Sequence, residues 1–285
     1  MPKKSHDEES KEIIASQSLP DRFEVIQRRE QYWLCETQRE RLIKDLFKLV
    51  TDPVRRRYTS ISVNTSSGNG TTALAERYIY KHPPIVTPEF TQIPAILISM
   101  TGIFDIKKLL DKLLESILPK KVRLKDLPQE TLSERLRRFV ILAHKVQLGI
   151  VFLDNFQDCA KFDANTRIGG EPFFDVVRGL IDSGIHIVPM GRETLSDSIL
   201  KDVHLFRRLN FKRGYLPPID KLGDISKIMQ DISLLEEKDI PDEAVVYVQS
   251  TTNGVIGDML DLIEQTFIDT GNLSKESLQE TRKLF

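Results

Sequence analysis

A run rich in β-formers, Tyr58 to Val63, gives way to eight small residues, Thr65-Ser-Ser-Gly-Asn-Gly-Thr-Thr72. A helical pattern then starts at Ala73 and continues to about Lys81. Strand, glycine-bearing loop and helix in this order form the frame of a phosphate-binding P-loop. In that frame the loop amides and the helix N-terminus face an anion, and the helix dipole favours negative charge there. The usual spelling, G-x-x-x-x-G-K-[ST], is kept at Gly70 and Thr72 and broken twice: Thr65 stands at the first glycine and Thr71 at the lysine. The frame is present and its cation is missing. The same letters also suit an ordinary strand–turn–helix built on an Asn-Gly turn.

A second feature gives the loop a context. Leu148-Gly-Ile-Val-Phe-Leu-Asp154 is an apolar strand ending in a carboxylate. This is the Walker B pattern, whose Asp holds Mg²⁺ opposite the P-loop hydroxyl, here Thr72. Between loop and carboxylate lie a proline-rich connection (82–88), a buried strand (93–100), a helix with leucines on one face (106–118), a basic loop (120–125) and an amphipathic helix (132–144). A helix near 173–182 and a strand at 185–190 follow. Strands alternating with helices predict a parallel sheet covered on both faces, with the P-loop strand and the Asp154 strand side by side.

The ends are helical. Apolar positions Phe23, Ile26, Trp33, Leu42, Leu46 and Leu49 predict two helices over 21–50, capped by Asp21 and by a Thr37–Glu40 box, with Trp33 and Phe47 as packing residues. Helices at 219–235, 242–250 and 256–269 predict a small second domain. The expected division is a disordered arm (1–20), a helical segment (21–52), an α/β core (53–216) and a helical lid (217–285).

Bulk properties narrow the function. The chain has 285 residues, 40% hydrophobic and 29% charged, enough for a substantial core. A formal net charge of −1 gives no whole-chain electrostatic case for nucleic acid, so any DNA surface must be local. Cys35 and Cys159 are far apart and suggest neither disulfide framework nor metal site, which fits a reducing cytoplasm. His82, His144, His186 and His204 show no ligand spacing. No apolar run approaches a membrane span, and the polar start does not read as a signal peptide.

Taken in order, the segments resemble the TniB family of transposon-encoded AAA+ proteins, related to TnsC, IstB and phage Mu B protein. The resemblance runs from about Asp21 to Asp269. It is carried by Asp52-Pro-Val-Arg-Arg-Arg57, then Ser67-Gly-Asn-Gly-Thr-Thr72 for GxxGNGKT, and Val151-Phe-Leu-Asp-Asn-Phe-Gln157 for LLIDExH. Val188-Pro-Met-Gly-Arg192, Arg208-Leu209, Pro217-Pro218 and Thr252-Asn-Gly-Val-Ile-Gly-Asp-Met259 follow in family order.

The resemblance implies a P-loop NTPase fold of AAA+ type with an N-terminal helical extension and a helical lid. It also implies ATP with Mg²⁺ as cofactor, assembly on double-stranded DNA, and recruitment of a transposase. The implied nucleotide residues are Gly68, Asn69, Gly70, Thr71, Thr72, Asp154, Asn155, Arg192 and Arg208, with Thr72 and Asp154 on the metal. Four positions depart from the family: Thr71 for lysine, Asn155 for the Walker B glutamate, Arg192 for the sensor threonine and Asp258 for the lid arginine. Loss of the cation and the general base predicts a pseudo-ATPase that retains fold and oligomer surfaces, as a homo-oligomer or with a related AAA+ ATPase. Arg192 or Arg77 could supply a substitute charge. Arg207 and Arg208 stand at the arginine-finger position, or form a solvated basic turn.

DNA contact, if made, would run through phosphates. The candidates are Lys120, Lys121, Arg123, Lys125, Arg135, Arg137 and Arg138, each cluster also readable as a solvated face. The loop 163–170 is an expected oligomer- or DNA-facing segment. The rival readings are a hydrolysis-competent ATPase of the same family and a regulatory module that kept the fold and abandoned DNA.

Overall fold

The structure, a computed structural model, describes residues 20–33, 37–52, 60–119, 121–126, 130–160, 171–195 and 202–284. The arm to residue 19, the basic triplet Arg55–Arg57, Lys120 and the loop 163–170 lie outside the described residues, as does the side chain of Thr37 with its expected capping box. By internal contacts the chain forms two units, Thr37–Pro217 and a second that joins the residues up to Glu36 with those from Pro218 onward.

Two helices come first, α1 (Arg22–Gln31) and α2 (Thr37–Thr51), and each belongs to a different unit. The α/β unit continues with β1 (Ser60–Ile61), β2 (Val63–Thr65), α3 (Thr71–Lys81), β3 (Ile85–Val86), β4 (Thr91–Gln92) and β5 (Ala95–Ser99). It runs on through α4 (Ile106–Ile117), α5 (Leu132–Lys145), β6 (Ile150–Asp154), α6 (Gln157–Ala160), α7 (Glu171–Asp182) and β7 (His186–Arg192). Short elements close it: α8 (Val203–Phe206), β8 (Leu209–Asn210), α9 (Phe211–Gly214) and β9 (Tyr215–Leu216).

The main sheet is parallel, in the order β5-β6-β7-β2-β9. β7 therefore runs between β2 and β6, with Val63 opposite Met190 and Leu153 opposite Pro189. The P-loop strand and the Asp154 strand are not neighbours, which corrects the expectation above. The reason lies in burial: Ile187, Val188 and Met190 are wholly buried, as suits a central strand covered on both faces. Chain order could not show this, because a helical crossover returns a strand to either side of its predecessor.

The helices form for local reasons. Asp105 caps α4 by accepting from Lys108 N–H at 2.7 Å, and Leu109, Leu110, Leu113, Leu114 and Ile117 all face the core. Each buried aliphatic side chain contributes about 1.5–3 kcal/mol. α5 opens with a capping box: Thr131 Oγ1 accepts from Glu134 N–H, and the Glu134 carboxylate accepts from Thr131 N–H at 2.8 Å. The backbone N–H and hydroxyl of Thr131 hold the Glu134 carboxyl below its ordinary range. Phe173 and Phe174 are buried and pack α7 onto the core. β3 lies inside the stretch read as a proline-rich connection (82–88) and pairs antiparallel with β4, just beyond it.

In the second unit α10 (Leu222–Ser233), α11 (Asp242–Thr252), α12 (Ile256–Thr270) and α13 (Lys275–Arg282) share a core with α1. The last of these had no counterpart in the sequence reading. Asp21 caps α1 as expected, accepting from Phe23 N–H at 2.8 Å. The buried residue of α1 is Val25, however, and Phe23 is 72% exposed. Arg28 anchors the helix by donating to the Ile232 carbonyl at 2.8 Å. The Thr252-Asn-Gly254 stretch is a helix end: Asn253 and Gly254 take positive φ, and Ile219 N–H donates to the Gly254 carbonyl at 2.8 Å.

Phe47, expected as a packing residue, is 45% exposed and instead stacks on His82 at 5.1 Å. Beside it Tyr78 is buried at 1% exposure against Phe152, and burial pushes its phenol up to about 12.

Candidate phosphate-binding site

The loop between β2 and α3 is built by its own side chains. Thr65 ends β2, and its buried hydroxyl donates to the Leu216 carbonyl at 2.6 Å. It also accepts from Asn69 Nδ2 at 2.7 Å. This gives a reason for threonine at the usual glycine: the position is extended and its hydroxyl ties the loop to β9. Asn69 is fully buried and reaches the carbonyls of Leu216 (3.1 Å) and Pro217 (3.0 Å) as well. Gly68 and Gly70 take φ of 79° and 82°, a region open to glycine at little cost.

Gly70 is the N-cap of α3 and has no side chain, so the cap supplies no acceptor to the first-turn amides. α3 starts at Thr71, two residues before the expected start. A left-handed glycine followed directly by helix leaves those amides at the open end of the loop, the arrangement that receives phosphate oxygens.

Thr72 Oγ1 donates to Asp154 Oδ2 at 2.7 Å. Asp154 is buried at 4% exposure and its other oxygen accepts from Asn155 N–H at 3.0 Å. The P-loop hydroxyl and the Walker B carboxylate therefore meet across β7, as the metal-holding pair of a P-loop NTPase does. An alcohol and a carboxylate are hard oxygen donors that suit Mg²⁺. The residues present fit a Mg²⁺–polyphosphate through Thr72, Asp154 and the loop amides.

The remaining positions divide. Asn155 takes a φ of 54°, and its side-chain oxygen accepts from Gln157 Nε2 at 3.4 Å. Gln157, buried at 5% exposure, also accepts from Arg192 N–H at 3.4 Å. Arg192 lies at the carboxyl end of β7 in register with Thr65, beside the loop, with an exposed side chain. Arg208 is held within the unit: its guanidinium makes a two-pronged pair with Asp182 at 2.8 and 2.9 Å and donates to the His204 carbonyl. Arg77 lies over the Tyr80 ring at 5.7 Å. Asp258 sits in the first turn of α12, where a carboxylate complements the helix dipole.

Among the basic candidates, Arg135 pairs with Asp111 of α4 and Arg138 with Glu130, at 2.7 Å through Nε. Lys121, Arg123, Lys125 and Arg137 are exposed. Lys120 lies outside the described residues. No group of three or more His, Cys, Asp or Glu side chains among the described residues is placed to hold a metal ion.

Sequence reasoning missed one residue of the site. Arg39 of α2 is 3% exposed and donates through Nη2 to the Asn69 carbonyl at 3.3 Å and to Asn69 Oδ1 at 3.2 Å. A signal existed: Arg39 precedes the buried Leu42, Ile43 and Leu46 by three, four and seven residues, on the same face of the helix.

The sheet order, the loop at the N-terminus of α3 and the Thr72–Asp154 pair define a P-loop protein of the AAA+ fold. Solved structures agree at the level of fold. The Walker-type ATPase PABY2304 of Pyrococcus abyssi superposes with a TM-score of 0.61 at 16% identity, over 86% of this chain and 71% of that one. The Aeropyrum pernix ORC2 protein, solved as ADPNP–ADP complexes, gives 0.60 at 12% identity, over 95% and 71%. The Aeropyrum pernix ORC1 protein in complex with DNA gives 0.57 at 13% identity, over 87% of this chain and 64% of that one. Comparison with the curated proteins finds no match. The chain belongs to the TniB family: the family described as bacterial TniB protein matches residues 22–218. This makes it a transposition-associated AAA+ protein. No helix among the described residues is long and apolar enough to cross a membrane.

Proposed function

We propose that this protein is a transposition accessory subunit that binds nucleotide weakly, has lost hydrolysis, and acts by assembly. In this reading it associates with double-stranded DNA and recruits a transposase or a related AAA+ ATPase. One observation carries the proposal. Thr72 and Asp154 keep the metal-holding pair at 2.7 Å, while the loop has Thr71 for its cation and Asn155 for the water-activating carboxylate.

The selective loss has a physical meaning. Mg²⁺, held by Thr72 and Asp154, would supply positive charge against the phosphates. The loop amides and Thr72 would receive the phosphates, and Asp154 would hold the ion. An amide at 155 cannot accept a proton from water as a carboxylate does. Binding outlasts chemistry in such a pocket, and an assembly switch needs only binding. The ORC1 neighbour, solved with DNA, supports nucleic acid as the surface for assembly.

Calorimetric titration with Mg-ATP, with turnover measured beside it, tests the reading. The expected outcome is saturable binding that Asp154→Ala abolishes, with no turnover above background. Multiple turnovers per minute lost in Asp154→Ala would establish the hydrolysis-competent rival instead.

A further inference from the structure

We infer that Arg39 is the positioning residue of the phosphate loop, and that its buried charge takes over part of the role of the lysine absent at 71. The ligand class is a polyphosphate, either a nucleotide or inorganic pyrophosphate. The inference rests on reading the loop as a phosphate site and extends it to a residue outside the motif.

The first argument is geometric. A single guanidinium nitrogen of Arg39 donates to both oxygens of Asn69, the peptide carbonyl at 3.3 Å and the side-chain carbonyl at 3.2 Å. The bond to the side-chain oxygen fixes which end of the amide is Nδ2, and Nδ2 then reaches Thr65, Leu216 and Pro217. The bond to the peptide oxygen acts on the loop itself. In a trans peptide plane C=O and N–H point in opposite directions. Holding the Asn69 carbonyl toward Arg39 therefore aims the Gly70 N–H away from it. Hydrogen bonding at the carbonyl also polarises that N–H as a donor.

The second argument is electrostatic. Arg39 is 3% exposed and keeps its charge, because a guanidinium is not deprotonated in a protein. A buried charge is screened far less than a surface one. Isolated from water, it stabilises an anion nearby and is stabilised in return. The loop lacks the residue that ordinarily supplies this attraction, and a guanidinium is bonded directly to its backbone.

Two measurements on the full chain test the assignment. In ligand-free protein, hydrogen exchange at the loop amides 67–72 reports the positioning. Calorimetry with inorganic pyrophosphate reports the charge. Arg39→Met is expected to speed loop exchange at least tenfold, with β5 and β6 unchanged, and to weaken pyrophosphate at least tenfold. Arg39→Lys, which keeps charge and donor, is expected to restore both to within a few-fold. Asn69→Ala keeps the charge and the peptide acceptor but loses the side-chain acceptor and the Nδ2 bonds to Thr65, Leu216 and Pro217; it should loosen the loop and weaken pyrophosphate less than Arg39→Met does.

Equal pyrophosphate affinity in wild type and Arg39→Met would overturn the charge role and leave the phosphate site standing. Unchanged loop exchange in Arg39→Met would overturn the positioning role. Wild type that binds neither pyrophosphate nor ATP would overturn the phosphate site as well. Were Arg39→Met to fail to fold, Arg39→Lys and Asn69→Ala decide: loop exchange and pyrophosphate affinity unchanged in Asn69→Ala, or no anion binding in a folded Arg39→Lys, overturns the assignment.

Discussion

Thr72, in the first turn of α3, donates its hydroxyl proton to Asp154 across 2.7 Å although a whole strand, β7, separates β2, which leads into that helix, from β6, which ends in Asp154. The contact spans 82 positions of sequence and closes the floor of the loop. Its strength comes from a buried carboxylate accepting a hydroxyl, a charge-assisted bond.

Thr72→Val removes that donor and keeps the shape of the side chain. The Asp154 oxygen it served is then desolvated without compensation, which costs about 1–3 kcal/mol. Thermal unfolding should shift down by about 2–4 °C per kcal/mol. An unchanged midpoint would show that the bond contributes nothing net to the apo protein.

Restoring the chemistry should need both missing charges. Thr71→Lys alone is expected to tighten Mg-ATP about tenfold without turnover, because a cation grips phosphate and activates no water. The double variant Thr71→Lys/Asn155→Glu is expected to gain measurable ATPase activity. A colorimetric phosphate-release assay reads this directly. Absence of any gain in binding from Thr71→Lys would mean that position 71 does not face the phosphates.

The basic residues separate by partner. Reversing the charge of Lys121 and Arg137 should weaken DNA association and reduce the steepness of its salt dependence, by about 0.9 in log–log slope per lost phosphate contact. Arg135→Met and Arg138→Met break the pairs to Asp111 and Glu130. Their expected effect is lower stability with the salt slope intact. Fluorescence anisotropy at several salt concentrations, beside thermal melts, distinguishes the two classes.

His82 ties stability to pH. Burial and the neighbouring Lys81 charge hold its imidazole below the ordinary 6.5. Below that value the unfolded chain binds the proton more readily than the folded one, so stability is lost as pH falls through and beneath 6.5. Above 6.5 the residue is neutral in both states and contributes no slope. His82→Phe keeps an aromatic partner for Phe47 and should flatten this part of a stability–pH profile measured in urea.

Gly254 is held by geometry. It takes a φ of 74°, and a Cβ there would lie 2.1 Å from the Ile219 carbonyl oxygen. Gly254→Ala combines left-handed strain with a backbone clash, and should destabilise by more than about 1 kcal/mol. The loss is expected to concentrate in α10 to α13, as faster hydrogen exchange there than in the parallel sheet. Exchange raised equally in both units would contradict this.

Much of this protein was written in the order of its residues. Glycine 70 followed by threonines demanded a loop entering a helix, the leucines of α4 demanded a buried face, and the apolar run to Asp154 demanded a covered strand, because these features depend on local conformation and on side-chain period. The family resemblance was likewise carried by short motifs in order. The tertiary structure decided which distant groups meet. It placed β7 between β2 and β6, paired Arg135 with Asp111 and Arg208 with Asp182, exposed Phe23 and Phe47, and bonded the buried Arg39 to Asn69. Those outcomes depend on strand order and on the pairing of charges across the fold, and no local period encodes them. A helix stripe says which face is buried; only packing says what a charge on that face will hold.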